Sequence, residues 1–96
     1  MIRLVEQLLC LAQGRSWKWP ALRKGHLLKE PICQVCGTKK NLDVHHCLPV
    51  FVDKRKELDA KNLITLCRPH HFLFGHLCEW QSWNAQVRWD AAEWQR

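Results

Sequence analysis

The chain has 96 residues, which allows one domain with one small core. Its hydrophobic fraction of 47% and formal charge of +6 fit a folded basic protein, and no segment has the length of a transmembrane helix. Residues 1–7 carry an acid early and lack a long apolar run with a small-residue cleavage site, so they do not read as a signal peptide, and the six cysteines are expected to be thiols in a reducing cytoplasm rather than disulfides.

Residues 2–13 are expected to form a helix, with Ile2, Val5, Leu9 and Ala12 on one stripe and Gly14 as its stop. Pro20 suits the first turn of a second helix, roughly 20–29, which must end before Pro31 and should turn Leu22 and Leu27 inward. Cys33 to Gly37 has the form of a zinc knuckle, with Gly37 letting the backbone close. Residues 42–48 read as a strand with Val44, His46 and Leu48 on one side, ended by Pro49. Residues 50–61 form a charged loop, and 63–66 a second short strand that completes a hairpin. Pro69 opens a helix of roughly 69–78, and Ser82 or Asn84 can cap a last helix carrying Val87, Ala91 and Trp94. The six Trp lie in the flanks and are expected to build the core around a metal module rather than to stack on bases.

The charge is uneven. Residues 1–56 hold eleven Lys and Arg against four Asp and Glu, while residues 57–96 hold four against five. A basic half beside a near-neutral half suggests a face that meets DNA or RNA, the alternative being a solvated surface.

Two ligand pairs, Cys33-x-x-Cys36 and Cys67-x-x-His70, supply the thiolate and imidazole donors of a tetrahedral structural zinc site. The histidines left over carry the functional reading. On a strand, His45 and His46 point to opposite faces, so one can hold a metal while the other lies toward a substrate beside it. His71, next to a zinc ligand, can complete a second metal site with His45.

The order C-x-x-C-G at 33–37, V-H-H at 44–46, N-L-I-T-L-C at 62–67 and H-H at 70–71 resembles the HNH endonucleases of the His-Me finger (ββα-metal) class, and the flanks are similar to those of small phage or prophage HNH proteins. The resemblance implies an α+β fold: a ββα-metal hairpin plus helix supported by the structural zinc, with flanking helices. Residues 1–32 would be a helical N-terminal extension, 33–77 the core and 78–96 a Trp-rich C-terminal helix, all within one domain. It implies hydrolysis of DNA phosphodiester bonds, with His46 as the general base that activates water and Asn62 as the residue that pins the loop and orients that base. It places His45 and His71 as ligands of a catalytic divalent ion. His76 stands five residues beyond His71, where four would keep one helix face; it reaches the ion only if the helix is distorted, for example by a π-bulge, and is otherwise a helix-end histidine facing solvent or DNA. The setting implied is the cytoplasm of a bacterium or of a phage-infected host cell.

Imidazole ligands favour Mn, Co, Ni or Zn over Mg, and waters with the phosphate leave Mg open. Lys39, Lys40, Lys54, Arg55 and Lys56 lie beside or within the hairpin and are candidates for DNA phosphate contacts, against a solvated loop. So short a domain has little surface for base readout, which leans toward low specificity or a protein partner that supplies targeting. Two other classes remain in view. A non-catalytic zinc-stabilised DNA-binding module would use the cysteines and the basic surface without needing the histidines together. A metal-stabilised interaction protein would use the Trp-rich ends. Cys10, Cys47 and Cys78 read as small buried hydrophobes.

Overall fold

The computed structural model describes residues 16–95, so the expected helix over 2–13, Gly14 and Cys10 lie outside the described residues. The architecture is α+β. Helix α1 (Trp19–Lys29) comes first, then strand β1 (Leu42–His46), then strand β2 (Leu63–Cys67). A short α-helical turn, α2 (Arg68–His70), runs into a π-helical turn (His71–Gly75), and α3 (Val87–Trp94) closes the order. Pro20 sits in the first turn of α1, where a missing N–H costs nothing.

β1 and β2 pair antiparallel, with Val44 opposite Thr65, His45 opposite Ile64 and His46 opposite Leu63. The period of two gives each face its own packing. Leu63 packs with Trp19, Leu22 and Val44 on the side of α1. Ile64 and Leu66 pack with Cys33, Val35, Val87 and Ala91, joined by Leu42 and Phe74. Full burial of side chains such as Ile64 and Leu66 contributes about 1.5–3 kcal/mol each.

Glu30, just past α1, ties three elements together. Its carboxylate accepts from the Thr65 amide at 2.8 Å and from Arg88 of α3 at 3.1 Å, while Arg88 also donates to the Leu63 carbonyl at 2.7 Å. Burial alone would raise the Glu30 pKa, but the Arg88 and Thr65 hydrogen bonds outweigh it and hold the carboxyl below its ordinary value.

Four expectations need correction. The helix set at 69–78 is shorter and changes character, ending as a π turn at Gly75. Gln86, not Asn84, stands at the cap position of α3 and has no side-chain cap bond; the Asn84 side chain accepts the Gln86 N–H at 3.0 Å and also donates to the Phe74 carbonyl and to Asp90, fastening α3 to the π turn. The tryptophans do not build the core. Trp19 is buried, but Trp17, Trp80, Trp83, Trp89 and Trp94 are exposed, because the hairpin's aliphatic residues and the knuckle cysteines already fill the small interior. Cys47 is buried as expected, whereas Cys78 is exposed. The 50–61 loop carries two 3-10 turns, Lys54–Lys56 and Ala60–Asn62, each started by an Asp side chain accepting a backbone N–H. Among the described residues no helix is long and apolar enough to cross a membrane.

Candidate metal centres

Cys33, Cys36, Cys67 and His70 converge as one cluster that can hold a metal ion such as zinc. The knuckle closes because Gly37 takes φ of 78°, a left-handed conformation natural to glycine, and its N–H reaches the Cys33 carbonyl at 2.8 Å. Cys67 ends β2, and α2 lifts His70 over it. Thiolates about 2.3 Å from zinc span tetrahedral edges of about 3.8 Å, and a thiolate and an imidazole span about 3.5 Å. Here the Cys36 and Cys67 sulfurs are 3.8 Å apart, and His70 Nδ1 lies 3.2 Å from Cys67 Sγ and 3.7 Å from Cys33 Sγ. A disulfide would need about 2.05 Å. The donor set therefore has the dimensions of a tetrahedral thiolate site.

The thiols divide in a way that suits a cation. Burial raises the Cys33 pKa, but backbone N–H groups of Cys67, Cys36 and Val35 outweigh it and bring that thiol down to about 6. Burial and the neighbouring sulfurs push Cys67 up to about 11. One thiolate forms readily and makes the next one costly, and a dication removes that cost.

The second cluster is His45, His71 and His76. His71 Nε2 lies 3.1 Å from His45 Nδ1 and 3.1 Å from His76 Nε2. The outer nitrogens decide the tautomers. His71 Nδ1 lies 3.0 Å from the Asp43 carboxylate and His76 Nδ1 lies 2.8 Å from the Ser82 carbonyl. Both partners only accept, so both Nδ1 atoms carry the proton. In the neutral rings both Nε2 atoms then present lone pairs to each other at 3.1 Å. Such an arrangement is favourable only around a positive charge. Burial first, then the charges of His71, His76 and His46, bring His45 down to about 3, and burial lowers His71 despite Asp43, so neither of these two rings takes up a proton readily. A metal ion with Zn–N distances of about 2.0–2.1 Å needs nitrogens about 3.0–3.4 Å apart, which matches.

His76 joins this cluster through the π turn. The His76 N–H bonds to the His71 carbonyl at 3.2 Å, an i to i+5 bond, so five residues complete the turn that four would complete in an α-helix. Gly75 permits it. A Cβ there would lie 3.1 Å from His45 Cε1 and Nε2, so glycine lets the His45 ring sit this close to the turn without displacement. Leu77 and Cys78 follow with φ of 55° and 65°, two consecutive left-handed non-glycine residues. This costs about 1–3 kcal/mol per residue. It reverses the chain so that Trp80 lies on the His76 ring, with centroids 4.9 Å apart, and the Ser82 carbonyl reaches His76.

His46 faces the other way. Its ring stacks on Trp19 with centroids 4.5 Å apart, and Nε2 lies 2.9 Å from the Glu57 carbonyl. The carbonyl makes Nε2 the N–H, which places the basic lone pair on Nδ1. Asn62 anchors the loop carrying Glu57: its side chain accepts from the Leu48 N–H at 2.8 Å and donates to the Leu48 and Lys56 carbonyls at 2.9 and 3.2 Å. His45 and His46 thus diverge from β1 yet border one cleft of about 500 Å³, lined also by His71, His76, Phe51, Trp80 and Lys54.

Of the basic candidates, Lys54 lines the cleft, and Lys56, two residues on, is exposed and does not line it. Arg55 places its guanidinium on Asp53 at 3.0 and 3.2 Å, which offsets its charge. Lys39 and Lys40 are exposed in the turn before β1 and do not line the cleft. Asp43 was missed as a site residue, although it stands two positions before His45 and so on the same face of β1. The role of Glu57 comes from its backbone carbonyl, for which the sequence has no signal. Comparison of the chain with protein-family profiles, with curated proteins and with solved structures finds no match.

Proposed function

We propose that the protein is a metal-dependent endonuclease of the HNH, ββα-metal type, hydrolysing DNA phosphodiester bonds, with a structural zinc on Cys33, Cys36, Cys67 and His70. The observation that carries the reading is the convergence of three imidazole nitrogens, two of them with lone pairs directed inward, beside a fourth imidazole whose Nε2–H on a carbonyl leaves the lone pair on Nδ1, all bordering one cleft.

His46 takes a proton from the attacking water at Nδ1, while its Nε2–H remains on the Glu57 carbonyl. Trp19 packs against the ring at a tilt of 34°, and Asn62 keeps the end of β1 and the Glu57 loop in fixed relation. Lys54 meets the phosphate at the cleft edge. His45, His71 and His76 would hold a divalent ion, which would supply charge neutralisation for the scissile phosphate and for the departing 3′ oxygen, the latter taking its proton from solvent. Asp43 and the Ser82 carbonyl keep the Nε2 lone pairs of His71 and His76 directed inward. An all-imidazole set favours Mn, Co, Ni or Zn over Mg.

The test is incubation of supercoiled plasmid with the protein in Mn, Ni or Mg. The parent should nick or cut, and His46→Ala should lose roughly a hundredfold or more of that rate while keeping its zinc and its DNA binding. Cleavage undiminished in His46→Ala removes His46 as the base. Binding without cleavage by the parent in any of these metals would leave the zinc-stabilised DNA-binding module as the better reading.

A further inference from the structure

The cleft has an aromatic rim that the chemistry above does not use. Phe51 is 77% exposed and meets Trp83, 37% exposed, edge to face with centroids 5.5 Å apart. Trp80, 52% exposed, lies against His76 and Phe72, each with centroids 4.9 Å away. Phe51 and Trp80 line the same cleft as His45 and His46, so rings from two separate loops stand around its mouth. Lys54 lines the same cleft and the exposed Lys56 follows on its 3-10 turn, with Arg55 between them engaged by Asp53, in a chain of charge +6.

Rings left in water beside cations match one chemical class well. An unpaired nucleic-acid strand offers phosphates to the cations and base faces to the rings. Continuous duplex keeps its base faces stacked and offers only edges and phosphates, so these rings would gain nothing from it. The basic residues at the same edge argue for a polyanion over an apolar protein segment.

We propose that the site engages an unpaired DNA strand, single-stranded or locally opened, with a base next to the scissile phosphate stacked on the Phe51 and Trp83 rim. This rests on the nuclease reading for the identity of the scissile phosphate, but the stacking surface has its own test. Charge alone favours duplex, which carries the denser phosphates, so a preference for single strand isolates the stacking contribution.

The experiment is fluorescence anisotropy of the zinc-loaded full chain, without added Mn or Mg, on labelled oligothymidylate and on a duplex of equal length. The single strand should bind about tenfold more tightly or better. Phe51→Leu and Trp83→Leu, which keep an apolar side chain but remove the ring, should each weaken single-strand binding roughly tenfold and leave duplex binding within about twofold. Duplex binding as tight as single-strand binding, or ring variants that weaken both alike or neither, would overturn the proposal. Plasmid cleavage by the same preparation in Mn separates the two claims. Cutting without strand preference removes only the stacking rim. Strand preference without cutting of any DNA removes the nuclease and keeps the rim.

Discussion

His71 and His76 face each other through Nε2 atoms 3.1 Å apart, and each has its Nδ1 proton committed to an acceptor, Asp43 for one and the Ser82 carbonyl for the other. Two lone pairs directed into one point, with His45 Nδ1 closing the third side, give a cluster that could hold a cation.

Asp43 is the side chain that fixes the His71 tautomer. Asp43→Asn keeps its shape but removes the carboxylate charge that the Nδ1 proton and Arg68 both engage. Titration calorimetry with Mn or Ni on zinc-loaded protein should show affinity at the histidine cluster falling about 10–100-fold, with zinc content unchanged. An unaltered isotherm would remove Asp43 from the site.

Gly75 makes room for His45. In Gly75→Ala the new methyl would stand 3.1 Å from His45 Cε1, so the ring must move by a few tenths of an ångström or the turn must open. The expected outcome is a stability loss of about 1–3 kcal/mol from overpacking, together with roughly tenfold weaker binding of the second ion. Thermal melts and calorimetry measure the two; full retention of ion affinity would contradict the close approach.

The thiolate cluster should carry much of the folding free energy. Cys33 is fully buried in the main hydrophobic cluster, and its knuckle meets β2 where Gln34 N–H reaches the Thr65 carbonyl at 3.0 Å. A strong chelator should abolish the ordered circular dichroism spectrum, and zinc should restore it, since structural zinc binding is coupled to folding. A spectrum unchanged after zinc is shown to be gone would contradict this.

Glu30 gives a pH dependence of known sign. Its folded pKa lies below the ordinary value of 4.5, so its contribution is present above that pH and is lost as pH falls through the folded value. Glu30→Gln should cost about 1–3 kcal/mol at neutral pH, and the gap from the parent should narrow at acid pH. Comparing the two proteins cancels protonation of the zinc ligands, which they share. A gap that stays constant with pH would mean the Glu30 charge contributes nothing.

Much of this was legible in the residues. The period of two in 42–48 and 63–66 gave the hairpin, and Pro20 gave the start of α1. The paired Cys and His spacing gave the first cluster, and the five-residue step from His71 to His76 raised the π turn as the condition for His76 to join. What escaped depends on contacts that side-chain identity does not encode. The Ser82 carbonyl reaches His76 only because Leu77 and Cys78 adopt left-handed conformations, and the Glu57 carbonyl fixes His46 through backbone. Hydrophobicity alone does not set burial for the tryptophans: the small interior holds Trp19 and leaves Trp17, Trp80, Trp83, Trp89 and Trp94 exposed. The exposure of Trp80 in the cleft lining and of Trp83 against Phe51 is part of the basis for the proposed stacking rim.

The most direct measurement is anomalous diffraction at the manganese edge from crystals of the zinc-loaded protein grown with Mn. The expected result is one peak about 2.0–2.3 Å from His45 Nδ1, His71 Nε2 and His76 Nε2, separate from zinc at the cysteines. A map with no manganese peak at those three nitrogens, or with the three rings turned apart, would contradict a second metal centre.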